Sequence, residues 1–433
     1  MKRGAFTLAG LMLAGTALAQ DLPPGVLLLS RVKNHLKDEF GRLQAVSCVE
    51  TVGREVREPK GKMRPLDTVR LEVLTNGSRE LFSSPGGRQF SPEPPISYVG
   101  SGLLGDGLFG PYLKTVVLSG AASTSYQGEE EKGGRPLARY DYQLAVMFSG
   151  LTIHIPEGSG RVGLHGSYWV DPRNYDVVRL DLEADNFPPT LPVTEANTSI
   201  DYARTRLGDE VVLLPQTADV RLVKESGEVS HNQVEFTQCH VFGAESTVSF
   251  AAPDSAAQAP GFGAAVLDDT LRPLPGGLQI AVKLASRISS DTAVGTLVDG
   301  VVAGDVREKR AVVIPQGAPV RGRIRRLERY TTPFPYFVVG LEFTEVQVQG
   351  VRHLFYADLL DIDAPGVERS LSTGGDLQTP RGQMPAGTTA LTVTRERIST
   401  HELPGVATFF FRGGRLDLPR DFRTVWKTRP LKR

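Results

Sequence analysis

Hydrophobic positions recur every three to four residues over 24–42, PGVLLLSRVKNHLKDEFGR, where Val26, Leu27, Val32, Leu36 and Phe40 fall on one stripe and Lys33, Lys37, Asp38 and Glu39 on the other. The spacing predicts an amphipathic helix. From there the period drops to two. LDTVRLEVLTNGSRELFS reads as a strand, an Asn76-Gly77 turn and a return strand, because Asn-Gly accepts the positive φ angles of a two-residue hairpin turn. Strand-like runs follow at 137–148, 151–155, 161–170, 176–184, 195–206, 209–223 and 229–242. In VDPRNYDVVRLDLEA, Asp171-Pro172-Arg173-Asn174 supplies a turn, and Val178, Leu180 and Leu182 alternate with Arg179, Asp181 and Glu183. These spacings predict an antiparallel meander.

The pattern lapses over 251–277, which is rich in Ala, Pro and Gly and has no period. β-type runs resume at 278–286, 294–304, 311–327, 335–348 and 351–361. A Gly, Ser, Thr and Pro-rich excursion occupies 364–405, with one strand expected near 389–395, and a final hairpin is expected around Gly413-Gly414. Residues 20–250 and 276–433 are therefore expected to be two domains joined by a linker at 251–275. A length of 433 residues and a 40% hydrophobic composition suit two cores of ordinary size.

The first residues change the setting. Lys2 and Arg3 precede an apolar stretch from Ala5 to Leu18, and Ala17-Leu18-Ala19 is a small-x-small processing site. The expectation is a signal peptide over 1–19, cleaved between Ala19 and Gln20, and no transmembrane segment in the mature chain. Gln20 stands where a lipoprotein would carry an acylated cysteine. The protein is expected to be exported, to the periplasm, the outer-membrane periphery or the medium. Basic and acidic residues balance at 49 each, so net charge gives no reason to expect a nucleic-acid partner. In an oxidising compartment the two cysteines, Cys48 and Cys239, read as one disulfide, the alternative being two separate buried thiols. A bridge would tie the first strand of the domain to the last, and closing so long a loop is worth on the order of 4–5 kcal/mol in the chain-entropy account.

Candidate chemistry is sparse. SYVGSGLLGDGLFG carries Gly100, Gly102 and Gly105 in the G-x-G-x-x-G order, but SPEPPISYV before it is unsuited to a buried parallel strand, and Glu129 to Glu131 downstream fall in an expected QGEEEKGG turn. We read a loop entering a short helix or strand through Leu104, Leu108, Phe109 and Leu113, the lip of a cavity rather than a nucleotide site, and expect no cofactor. The common hydrolase, metalloprotease, P-loop and EF-hand motifs are absent from the sequence. His154 and His165 could meet across a hairpin, and Asp358, Asp361 and Asp363 could offer oxygens to a cation; both read better as ordinary strand residues, so no metal site is expected. In IPQGAPVRGRIRRLERY, strict alternation would put Arg321, Arg323 and Arg325 on one face, a candidate basic interaction surface for anionic envelope material.

Two regions resemble known families. LASRISSDTAVGTLVDGVVAGDV, AVVIPQGAPVRGRI and FVVGLEFTEVQVQG, within 276–361 and joined by 403–427, resemble the β-barrel domain of TrbI-like conjugation and type IV secretion proteins, with Pro315 and Gly317 filling that family's strand-to-strand turn. The family's inner-membrane anchor, Pro-rich periplasmic arm and apolar helical hairpin have no counterpart here, so the resemblance implies a docking barrel rather than a channel. Through GSYWVDPRNYDVVRLDLEA the first domain is similar in pattern to LolA/LolB-like lipoprotein-sorting proteins, which implies a helix held in an incomplete antiparallel barrel that takes acyl chains. SCVETVGRE, FTQCHVFGAESTVSF and LPRDFRTVWKT look like uncharacterised secreted proteins of soil bacteria, a resemblance that implies no function. The expectation is a mainly β protein: an N-terminal α+β domain with a curved antiparallel sheet and an amphipathic helix, then a C-terminal antiparallel β-barrel. Its expected role is non-enzymatic, binding a lipid-like or apolar ligand in the first domain and docking to envelope partners, or to itself, through the second. A ligand-free scaffold is the alternative. An enzyme acting on envelope polymers is a third reading, and would need a cleft with convergent carboxylates of shifted pKa.

Overall fold

The computed structural model describes residues 23–43, 45–75, 79–86, 89–99, 103–242, 271–332, 334–363 and 406–430. The Ala19-Gln20 cleavage site, the Asn76-Gly77 turn, Gly100 and Gly102, most of the linker and the 364–405 excursion with its expected strand lie outside the described residues. The protein is mainly β, 58% strand and 11% helix among the described residues.

Helix α1 spans Pro24–Arg42 and buries Val32 and Leu36 from its apolar stripe, with proline at the first turn, where the missing N–H has no intrahelical partner to lose. Gly25 is dictated by packing. A Cβ there would lie 2.5 Å from the ring of Tyr126, and its carbonyl accepts the Tyr140 hydroxyl at 2.7 Å.

The first half continues with β1 (Val46–Arg57), β2 (Arg64–Thr75), β3 (Glu80–Ser83), β4 (Ser123–Lys132), β5 (Arg135–Leu144) and β6 (Thr152–Ile155). After these come β7 (Gly158–Arg161), β8 (Gly163–Val170), β9 (Val177–Asp185), β10 (Val193–Leu207), β11 (Glu210–Lys224) and β12 (Val229–Val241). Ten of them form one antiparallel sheet in the order β3-β2-β1-β12-β11-β10-β9-β8-β5-β4, while β6 and β7 pair apart. The meander is present from β8 to β12, and β1 returns to lie beside β12. Strand β4 corrects one expectation: Glu129, Glu130 and Glu131 are in the strand, and the turn falls on Gly133-Gly134, both at positive φ.

Cys48 and Cys239 form a disulfide between β1 and β12. Ser47 faces His240 and Val49 faces Thr237, which leaves Cys48 opposite both Gln238 and Cys239 in a bulge where Gln238 takes φ 51°. The extra residue re-aims the strand and turns Cys239 toward its partner.

The second half comprises β13 (Arg272–Pro273), β14 (Gln279–Leu284), β15 (Ile288–Ser289), β16 (Leu297–Val302), β17 (Val306–Glu308), β18 (Ala311–Ile314) and β19 (Pro319–Tyr330). It ends with β20 (Tyr336–Val348), β21 (Val351–Leu354), β22 (Ala357–Asp363), β23 (Ala407–Arg412), β24 (Asp417–Leu418) and β25 (Arg423–Thr428). Its main sheet runs β13-β21-β20-β19-β16-β14-β25-β22, with β23 on β20, and curls into a half-barrel. Trp426 fills its core against the rings of Phe343 and Phe355.

The two sheets touch. The Val294 amide donates to the Thr68 carbonyl at 2.8 Å and its carbonyl accepts the Arg70 amide at 3.0 Å. Gly295 follows at φ +94°, so close to β2 that a Cβ would sit 2.4 Å from the Arg70 carbonyl oxygen. A single apolar cluster runs through both halves.

Candidate functional site

Alternate residues of a strand share a face, and β1 sends Cys48, Glu50, Val52 and Arg54 to its buried one. Register then fixes their neighbours. Arg54 lies between Asp67 of β2 and Asn232 of β12, and Glu50 between Leu71 and Phe236. The two charged positions meet very different surroundings.

At Arg54 the charge is matched. Its Nε and a terminal nitrogen donate to the two Asp67 carboxylate oxygens, each at 2.6 Å, and both side chains are about 1% exposed. Across the contact with the second half, Arg326 makes the same two-pronged contact with Glu328 at 2.7 Å, and the Tyr330 hydroxyl donates to Glu328 at 2.7 Å. Arg64 crosses the junction to the Arg329 carbonyl at 2.6 Å and lies over the Tyr330 ring. Burial alone would push Glu328 up, but Arg326, the Arg54 charge and the Tyr330 hydrogen bond hold its carboxyl below the usual range. For Arg54, burial works against the charge, and Asp67 with Glu328 more than offsets it, so the guanidinium is held more firmly than usual. Charge-matched contacts join the two halves here.

Around Glu50 no counter-charge arrives. Residues 103–118 cross this face without joining either sheet. Leu104, Leu108, Phe109, Leu113, Val116 and Val117 are buried against it; Phe109 packs on Phe236, ring centres 5.4 Å apart, and Gly105 lies against Val220 of β11. The Asn232 amide donates to the Leu103 carbonyl at 2.8 Å, and the Lys114 ammonium sits 4.4 Å from the ring centre of Phe40 on α1. The glycine loop is thus the start of a cover over the sheet. Its Gly-rich backbone does bind an anion, the protein's own: Gly107 and Phe109 donate their N–H groups to the two oxygens of Glu80 on β3, at 2.6 and 2.5 Å.

Glu50 is 3% exposed and, among the described residues, makes no ion pair. Burial pushes it up to about 8, and the nearby charges of Glu80 and Asp106 add to the shift. Half-buried Glu80 is lifted by burial to about 7, against the pull of the loop N–H groups. Asp106 is exposed at the rim. Both Glu80 oxygens accept N–H bonds, which fits an ionised carboxylate, so between about pH 7 and 8 the pair carries one negative charge, on Glu80, and Glu50 holds the proton. Convergent carboxylates of raised pKa are what a polymer-cleaving enzyme would present. Here Glu50 lies under the cover and Glu80 accepts two N–H bonds from the loop.

The other sequence candidates fall elsewhere. The basic surface is corrected: Arg321 is exposed, but Arg323 and Arg325 are buried, with 4% and 6% exposure. Bulges after Arg321 and Ile324 break the alternation of β19, and the first half packs on the strand. Arg323 donates to the carbonyls of Pro85 and Gly295 at 3.0 and 3.2 Å, and Arg325 binds Glu342 at 2.5 Å. His154 pairs in register with Ser159 on β7, while His165 on β8 lies against Glu183 and Asp185, so the histidines take separate partners. Asp358 is bound by Arg429. A depression of about 500 Å³ opens on the outer face, lined by polar groups including Ser123, Ser125, Asp141, Gln143 and His165. Sequence reading missed Glu50, Glu80 and Arg54; the available signal was that Glu50 and Arg54 share the phase of Cys48 and Val52.

No protein-family model and no curated protein sequence matches the chain. Among solved structures it is similar to a putative outer membrane lipoprotein-sorting protein domain from Vibrio parahaemolyticus, at 9% identity and a TM-score of 0.27, over 49% of this chain and 92% of that one. It is similar to a LolA superfamily protein from Nitrosomonas europaea, at 10% identity and a TM-score of 0.26, over 50% and 94% of the two chains. A DUF1329 family protein from Desulfovibrio piger overlaps at 11% identity and a TM-score of 0.26, over 52% and 93%. These overlaps are too loose to carry any residue's role across.

Proposed function

We propose that the first half is a binding module of the cell envelope whose apolar ligand takes the place of residues 103–118 on the sheet. The observation that carries this reading is the cover itself: an apolar strip with no ladder to the sheet, held by Asn232, by packing and by a carboxylate on β3. A sheet face lined by Leu71, Val220, Val234 and Phe236 would be left bare by its departure, and a lipid-like chain is the complement of such a face. The leader-like first residues support an exported location. The half-barrel is then the part that docks to envelope partners.

A second reading, a ligand-free scaffold, is favoured by how completely the interior is filled and by the charge-matched joint between the halves. One experiment separates the two. The mature chain is made in a bacterial periplasm and purified without detergent, and its organic extract and native mass spectrum are recorded. The binding module predicts a stoichiometric apolar molecule retained by the protein; an empty protein in both measurements overturns it and leaves the scaffold.

A further inference from the structure

We propose that closure of the 103–118 cover is proton-linked, with Glu50 taking up a proton as the cover shuts over it and Glu80 serving as the latch. The proposal rests on the reading of this segment as a cover, and it concerns what sets the cover's position rather than what lies beneath.

The geometry leaves room for one charge. Glu80 spends both carboxylate oxygens on the N–H groups of Gly107 and Phe109, bonds that are strongest when the carboxylate is ionised. Glu50 approaches from β1, in the cross-strand row of Leu71 and Phe236, and Phe109 of the cover packs on that same Phe236. With the cover shut, an ionised Glu50 would be both dehydrated and close to the Glu80 charge; with the cover displaced it regains water. The titratable groups that face the pair are Asp106 and Tyr112 of the cover and Tyr202 of β10, and His154 of β6 bears on Asp106. Among the described residues no lysine or arginine forms an ion pair with Glu50, Glu80 or Asp106.

The sign follows from linkage. Glu50 in the closed form is raised above its ordinary value to about 8, so the closed form holds a proton that the open form has lost in the interval between them. The closed state is therefore favoured at acidic pH, and opening grows as pH rises through that interval.

Hydrogen exchange of the ligand-free full chain, read by mass spectrometry on peptides covering 103–118, tests this. After correction for the intrinsic exchange rate, the opening constant of these amides is expected to rise by at least about tenfold between roughly pH 6 and pH 8, while peptides from β19 and β20 stay flat. Glu50→Gln should reduce the rise in the cover, leaving only the smaller part that Glu80, itself raised to about 7, contributes. Glu80→Gln should raise exchange there at pH 8, where Glu80 is ionised above its folded value of about 7, and by less at pH 6. Equal protection at the two pH values in the wild type, or an unchanged slope in Glu50→Gln, overturns the proposal. Should the cover open with pH while the purified protein carries no apolar molecule, the ligand reading fails and the latch stands; an unprotected cover at both pH values fails the cover reading itself.

Discussion

Arg54 and Glu50 occupy the same face of one strand, about 13 Å apart at the usual rise of a strand, and are 2% and 3% exposed. One is enclosed by Asp67 with Arg326, Glu328 and Tyr330 close by; the other has another carboxylate for company. A buried charge that is fully matched fixes geometry, since moving either partner leaves an uncompensated ion. A buried acid without a cation settles the conflict by keeping its proton, and its energy then depends on pH. The first arrangement sits where the two halves join, the second beneath the segment that lacks strand bonds. The strand thus has a fixed end and a responsive end.

The contrast can be broken at several points. Both ends depend on the anchoring of β1 to β12, so replacing Cys48 and Cys239 by alanine should cost about 5 kcal/mol in urea unfolding, the chain-entropy value for a loop of 191 residues. Asp67→Asn should cost about 3–5 kcal/mol by removing the charge that faces buried Arg54, whereas Glu50→Gln should raise stability near neutral pH, by up to about 1.4 kcal/mol per pH unit above 4.5, because it removes the cost of protonating Glu50 on folding. If the two substitutions cost the same, the distinction between the ends is lost.

pH sharpens the contrast because the signs are opposite. Glu50, raised in the folded state to about 8, contributes a stability that declines as pH rises above its ordinary value of 4.5, by up to about 1.4 kcal/mol per pH unit for the one proton involved. Glu328, held below 4.5, contributes a stability present above that value and lost as pH falls through its folded value. Unfolding curves of wild type, Glu50→Gln and Glu328→Gln across this range should separate the two trends. The smallest effect belongs to β19: Arg321→Ala should stay within about 0.5 kcal/mol, while Arg323→Ala, which empties two carbonyl contacts at the junction, should cost about 1–3 kcal/mol.

Periodicity located the elements well. The helix expected over 24–42 is α1, and the runs at 176–184, 195–206, 209–223 and 229–242 are β9 to β12 within a few residues. Their sides were legible because apolar and polar residues alternate cleanly there. The charged residues of the candidate site were not, for a physical reason: alternation reports which residues share a face, while which face is covered depends on a segment or a sheet that is distant in sequence. Glu50 and Arg54 lie in phase with Cys48 and Val52, yet only the arrival of 103–118 and of β19 decides that both are buried. In β19 two bulges also shift the phase, so the three alternating arginines meet three different environments. The glycines of 100–110 read as a loop at the lip of a cavity, and that Gly107 and Phe109 there bind the Glu80 carboxylate was set by the fold.

The most direct measurement is a carbon-13 titration of the glutamate carboxyl groups in selectively labelled protein, with Glu50→Gln and Glu328→Gln used to assign the two signals. The account predicts a Glu50 signal that titrates near 8, and a Glu328 signal that remains ionised to below 4.5. A Glu50 signal that titrates at its ordinary value would contradict it, because the acid under the cover would then be an ordinary solvated carboxylate.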